Sequence, residues 1–170
     1  ADVLAHGVMA PGTEATQAIA ERFGDVIAAA GAVDRRKLGP IVFTDDAARR
    51  ELEALVHPAV YRAIAAGLRA FERLGDSPFA VVAIPLLYET GHAGEFGKVV
   101  ATWCSPTVQV QRLLDRGLSA EAARQRIDAQ LPADDKARRA DYVIRTDGTF
   151  AETDEQVDRV VDALAADGRA

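Results

Sequence analysis

The chain has 170 residues, with 26 acids against 20 bases, a formal charge of −6 and one cysteine, Cys104. This size suits one domain, with a helical insertion, that buries roughly 70% of its unfolded surface; one cysteine excludes an internal disulfide and fits a reducing cytosol. With no apolar run of about eighteen residues, no signal-like start and an acidic balance that disfavours a general nucleic-acid binder, the expectation is a soluble, cytoplasmic protein with neither membrane nor nucleic acid as partner.

Ala1 to Ala10 form a short amphiphilic start, and Pro11-Gly12 a turn. Thr13 caps a helix through Phe23 that carries Ala15, Ile19 and Phe23 on one face, and Gly24 stops it. Asp34 caps a short helix, Arg35 to Leu38, which Gly39-Pro40 interrupts. Asp45 opens a long helical region with Leu52, Leu55 and Val56 as its stripe. His57-Pro58 breaks it, because a residue before proline is pushed out of the α region. Val60, Ile64, Leu68 and Phe71 then line the next helix. Residues 13–74 therefore read as a helical subdomain. His57 is either a helix-junction residue bonded to backbone or a ligand contact.

Phe79 to Glu89 is apolar on both faces through Val81, Val82, Ile84, Leu86 and Leu87. A turn signal, Gly75-Asp76-Ser77-Pro78, precedes it. The run predicts a strand buried on both faces of a parallel sheet, with pairing weakened at Pro85. Ligands bind at the carboxyl edge of such sheets. Glu89, the first charge on the way out, either caps the next segment or faces that crevice. Thr90 to Gly97 is a loop, and Val99 to Trp103 a second buried strand.

Ser105-Pro106 starts a helix to about Arg116, with Gln109, Arg112 and Arg116 on one face. Ser119 caps a helix to about Gln130, and a short helix follows from Asp134 to Ala140. Tyr142 to Arg145 is a third strand. Asp147-Gly148 turns into a last helix lined by Val157, Val160, Val161 and Leu164. From Arg112 to Arg145 there are eight basic residues and six acids, a local +2 that leaves −8 elsewhere. Arginines suit phosphate with a planar fork, although a solvated helix face with ordinary ion pairs has the same composition. Strands separated by helices imply a parallel, right-handed α/β sheet. The helices between Ser105 and Ala140 read as a mobile cover that closes over a phosphate.

In this order the residues resemble the dephospho-coenzyme A kinase family, of the P-loop nucleoside-kinase type. Ala1-Asp2 resembles the end of an Asp-Ala-Asp motif. Pro11-Gly12-Thr13, Phe23-Gly24, Asp34-Arg35, Leu38 and Val42-Phe43 follow the family's spacing. Leu55-Val56-His57-Pro58 resembles its Leu-x-His-Pro, and Pro85-Leu86-Leu87-Tyr88-Glu89 its Pro-Leu-Leu-x-Glu. Gln109, Arg112, Leu113 and Arg116 resemble its first lid helix. Arg126 and Gln130 resemble the second lid helix, and Arg139-Ala140-Asp141-Tyr142-Val143-Ile144 the lid exit. Together they cover essentially the whole chain.

The resemblance implies a three-layer parallel sheet of P-loop kinase type, with a helical acceptor-binding subdomain (residues 13–74) and a helical lid (residues 105–140). It implies transfer of the γ-phosphoryl of ATP, with Mg2+, to the 3′-hydroxyl of dephospho-CoA. Asp2 resembles the carboxylate that orients or deprotonates the hydroxyl. Arg116 and Arg139 resemble the lid arginines on the moving phosphoryl group, and Arg112 and Arg138 accessory nucleotide contacts. His57, Arg62 and Glu89 resemble acceptor-side residues. No metal ligand is assigned.

The sequence departs from the family at its front. The phosphate loop, Gly-x-x-x-x-Gly-Lys-Ser/Thr, is missing, and Gly97-Lys98 cannot replace it because a strand follows. The family places that loop, and a first strand inside the sheet, upstream of the aspartate that Asp2 resembles. The expectation is therefore a chain without the front of a longer protein, unable as it stands to bind ATP productively. Arg145-Thr146 stands where the family commonly has Asp-Asn near the nucleotide base, and Gly117 replaces a frequent aspartate. A non-catalytic CoA-binding module without its loop is the alternative reading. Another small-molecule kinase, of adenylate or shikimate type, is disfavoured by the His57-Pro58 and Pro85–Glu89 motifs.

Overall fold

A computed structural model describes residues 2–27, 30–75 and 77–167, without the side chains of Asp2 and Phe43. Asp76 of the expected turn lies outside the described residues. The chain forms two compact units, Ala1–Ile84 and Pro85–Ala170.

The first unit is helical: α1 (Asp2–Val8), α2 (Glu14–Phe23), α3 (Arg35–Thr44) and α4 (Asp46–Leu74). Thr13 caps α2 as its sequence predicts, accepting from the Thr16 N–H at 3.2 Å. The Thr13 hydroxyl donates to Val8 O at 2.6 Å and that of Thr16 to Ala10 O at 2.8 Å, binding the α1–α2 turn. Gly24 ends α2 at φ +71°, a backbone state that a Cβ would strain. Ala15 and Ile19 are buried, while Phe23 is only half-buried.

Two prolines expected to break helices do not. Helix α3 runs through Gly39-Pro40 to Thr44. Proline restricts its predecessor partly by clashing with that residue's Cβ, and Gly39 has none. Helix α4 is continuous for 29 residues through His57-Pro58. There, packing overrides local preference. Val56, Val60 and Ile64 lie four apart across Pro58, and all three are buried. Burial is worth about 1.5–3 kcal/mol for each such side chain. An internal proline costs about 3 kcal/mol, so an unbroken stripe outweighs the kink. Helices α1, α2 and α3 all pack on α4. Asp45 caps it through the N–H groups of Ala47 and Ala48, at 2.7 and 3.1 Å.

The expected central strand is not formed. Residues 79–84 carry no regular secondary structure, Val81 is 78% exposed, and residues 85–91 are turns. An apolar run reports a tendency to be buried, whereas a strand exists only where a ladder forms. Among the described residues the ladder joins two other segments.

That ladder belongs to the second unit. Strands β1 (Val100–Trp103) and β2 (Tyr142–Arg145) pair in parallel, from Val100 opposite Tyr142 to Trp103 opposite Arg145. Parallel neighbours need a crossover of a dozen residues or more. Three helices supply it: α5 (Pro106–Asp115), α6 (Ala120–Asp128) and α7 (Ala133–Arg139). Ser105 and Ser119 cap the first two through Val108 N and Ala122 N. Helix α8 (Phe150–Asp167) packs on β2. β1 is less buried than expected, with only Ala101 fully inside, and Val157 and Val161 of α8 stay partly exposed. No helix among the described residues is long and apolar enough to cross a membrane.

Candidate functional site

The sequence-predicted residues divide between the units. Asp2, His57 and Arg62 belong to the first. Asp2 opens α1, but its side chain lies outside the description. His57 is half-buried in the middle of α4. Arg62 is largely exposed, 3.8 Å from Glu14 Oε2. Five residues along one helix turn the side chain by about 140°, so continuous α4 does not place His57 and Arg62 on one face.

The second unit holds the remaining candidates in two polar clusters. The first surrounds Glu89. Its Oε1 lies 2.7 Å from Lys136 Nζ and accepts from Leu131 N at 2.9 Å. Lys136 also donates to Pro85 O at 3.0 Å and to Gln130 Oε1 at 3.3 Å. Burial pushes the Glu89 carboxyl up, but the Lys136 ammonium and the Leu131 N–H outweigh it and hold the group below its ordinary value. Next to it, the Tyr88 ring lies 4.4 Å beneath the Arg139 guanidinium, a cation–π contact. Among the described residues the buried Tyr88 hydroxyl has no hydrogen-bond partner, and burial pushes its pKa up, so it stays protonated. Arg138 points elsewhere and pairs with Asp135 on its own helix.

The second cluster lies at the carboxyl ends of β1 and β2. Arg112 donates to both the hydroxyl and the carbonyl of Thr146. The Thr146 hydroxyl donates to Trp103 O at 3.2 Å. The Arg145 guanidinium stacks 4.2 Å over the Trp103 ring and pairs with Asp147 at 3.2 Å. The Trp103 indole donates to Asp134 in the first turn of α7 at 2.6 Å. Gln109 donates to Cys104 O, so the amide and Arg112 do face the strand ends together. Arg116 is the C-cap of α5, exposed and paired with no acid among the described residues. Lys98, excluded above as a phosphate-loop lysine, lies between Asp141 and Asp167 at 3.9 and 3.7 Å.

Sequence reasoning missed Lys136, Tyr88 and Trp103, and met Thr146 only as a departure from the family's pattern. One signal pointed to Lys136: it is one of three lysines beside seventeen arginines. A lysine differs from arginine in presenting a compact ammonium, which is what the three acceptors around Lys136 meet.

The profile of the dephospho-CoA kinase family matches residues 1–152. The dephospho-CoA kinase of Symbiobacterium thermophilum is 42% identical over 160 residues, covering 93% of this chain and 66% of that protein. That of Bacillus licheniformis is 40% identical over 164 residues, covering 95% and 81%. Among solved structures, a dephospho-CoA kinase from Campylobacter jejuni superposes with a TM-score of 0.70 at 26% identity, over 97% of this chain and 83% of that one. The chain thus spans just under two thirds of the first relative's length and about four fifths of the second's. An α/β fold with a small parallel sheet, arginines on the helices that cross between its strands, and a match running nearly end to end agree: the chain belongs to the dephospho-CoA kinase family, kinases that use ATP in the last step of coenzyme A synthesis.

Proposed function

We propose that this chain supplies the acceptor-binding and phosphoryl-clamping parts of a kinase that moves the γ-phosphoryl of ATP to the 3′-hydroxyl of dephospho-CoA. The hydroxyl oxygen forms a bond to the γ-phosphorus as the bond from that phosphorus to the β–γ bridging oxygen breaks. The hydroxyl proton passes to the Asp2 carboxylate, and ADP leaves. A carboxylate suits that task when it lies within hydrogen-bond reach of the proton. Arg116 and Arg139 steady charge on the equatorial oxygens. Arg112 and Arg138 contact the nucleotide after exchanging Thr146 and Asp135 for it. His57, Arg62 and Glu89 serve the acceptor, Glu89 as part of a fixed loop.

The observation that carries this reading is the contrast among the arginines. Arg116 is exposed and, among the described residues, without an acidic partner, whereas Arg112 and Arg138 are engaged. An unpaired guanidinium at a helix end is available to phosphate. Residues 105–140 act as the lid and residues 13–74 as the acceptor subdomain of a three-layer, P-loop type sheet. The protein works in the cytoplasm on small molecules. Magnesium, if held with the nucleotide, would supply positive charge against the phosphates; among the described residues no group of three His, Cys, Asp or Glu side chains could hold a metal ion.

The test is an assay of the full-length protein with ATP, magnesium and dephospho-CoA. CoA formation is the expected result. No CoA at high enzyme concentration rejects the reading.

A further inference from the structure

We infer that Lys136 is a positioning residue for Arg139, holding α7 in register against the Pro85–Glu89 segment. The inference rests on the reading above, in which Arg139 touches the moving phosphoryl group.

Three acceptors surround the ammonium: Glu89 Oε1 at 2.7 Å, Pro85 O at 3.0 Å and Gln130 Oε1 at 3.3 Å. An ammonium has three donors, so this set uses all of them. The Lys136 and Glu89 side chains are only 18% and 21% exposed, which separates them from the surface pairs whose contribution solvent removes. Glu89 Oε1 also receives the N–H of Leu131, just before the N-cap Pro132 of α7. One carboxylate therefore binds both the approach to α7, at Leu131, and its last turn, at Lys136.

Arg139 lies three residues beyond Lys136, on the same side of the helix. Its guanidinium covers the ring of Tyr88, the neighbour of Glu89. Two adjacent loop residues thus meet two α7 residues one turn apart. A slip of one residue would rotate α7 by about 100° and break both contacts at once. The Tyr88 hydroxyl has no partner among the described residues, and its ring makes the contact with Arg139. The first turn of α7 is tied separately, by Asp134 to the indole of Trp103. The three acceptors converge on one nitrogen, so the planar fork of arginine cannot reproduce them.

The test is a double-mutant cycle in the full-length kinase with two readouts. Lys136→Met keeps the aliphatic stem and removes the charge. It is expected to lower kcat about tenfold with each KM within about twofold, and Lys136→Arg to restore only part of that loss. In an Arg139→Ala background the same change is expected to alter kcat by less than about twofold, because its route is already gone. The second readout is the emission of Trp103, the only tryptophan. In Lys136→Met it is expected to shift to the red with far-UV circular dichroism unchanged, as α7 loses its seating.

Wild-type kcat in Lys136→Met, or a full multiplicative loss in the double variant, would overturn the inference. Unshifted Trp103 emission would overturn the register claim whatever the activity. Wild-type kcat in Arg139→Ala would instead overturn the clamp reading, so the two failures are told apart.

Discussion

The two units are held together by different means. Among the described residues, positions 1–84 hold eight of the eleven that are apolar and buried: Ala15, Ile19, Val26, Leu38, Ala48, Val56, Val60 and Ile64. Residues 85–170 contain three, Ala101, Ala123 and Ile144, and leave Val100, Val143, Val157 and Val161 partly exposed. The first unit has polar ties as well, such as Arg22 to Glu51 and Thr13 to Val8, but the second sets beside its smaller core a parallel ladder and the ties Glu89 to Lys136, Arg112 to Thr146, Trp103 to Asp134 and Arg145 to Asp147. Burial is non-directional and tolerates slow drift, whereas hydrogen bonds fix angles. Under the proposed function, in which the second unit aims guanidinium groups at a phosphoryl group, it gains from the second kind. The first unit has only to hold its helices.

The largest effect that would break this contrast is a cavity in the first unit. Ile19 is fully buried, so Ile19→Ala is expected to cost about 2–5 kcal/mol in urea unfolding. The matching truncation Val143→Ala, at a side chain 39% exposed, is expected to cost under about 1 kcal/mol. Equal losses at the two sites would remove the distinction. Next is Arg116→Ala in the full-length protein. It is expected to lower kcat about 10²-fold or more, with circular dichroism and acceptor KM little changed. Unaltered turnover would take Arg116 off the clamp.

Smaller is the cap of α4. Asp45→Ala is expected to lower the urea midpoint slightly, because Ala47 and Ala48 lose their acceptor. The loss should vanish in acid. Those two N–H groups hold the Asp45 carboxyl below its ordinary value, so its contribution is complete above the ordinary aspartate range and disappears as pH falls through the lowered value. The smallest effect is Glu89→Gln. The Glu89 carboxyl is also depressed. Wild type should therefore shed stability as pH falls below the ordinary glutamate range, and the variant should show a shallower acid slope. Superimposable acid transitions would mean that the Glu89–Lys136 pair adds nothing to the second unit.

Local chemistry was legible in the sequence, and long-range pairing less so. Thr13, Asp34, Asp45, Ser105 and Ser119 all cap the helices their positions predict, because a cap is decided within three residues. The parallel pairing of Val100–Trp103 with Tyr142–Arg145 followed from strands separated by helices. Pro40 and Pro58 misled because their local cost was outweighed, by a glycine without a Cβ in one case and a buried stripe in the other. The 79–84 run misled because apolar composition does not specify a ladder partner. Glu89 was recognised as a poised charge, but its partner lies 47 positions away, and nothing local in the sequence announces such a distance. The same holds for Arg139 and Tyr88, and for Arg112 and Thr146.

The decisive measurement is single-turnover transfer of labelled γ-phosphoryl from ATP to dephospho-CoA, comparing the full-length protein with its Asp2→Asn variant. The expected result is labelled CoA from the wild type, with a transfer step slowed about 10²–10⁴-fold in the variant at unchanged dephospho-CoA affinity. Transfer at the wild-type rate in Asp2→Asn would contradict the assignment of proton removal to the carboxylate that opens α1.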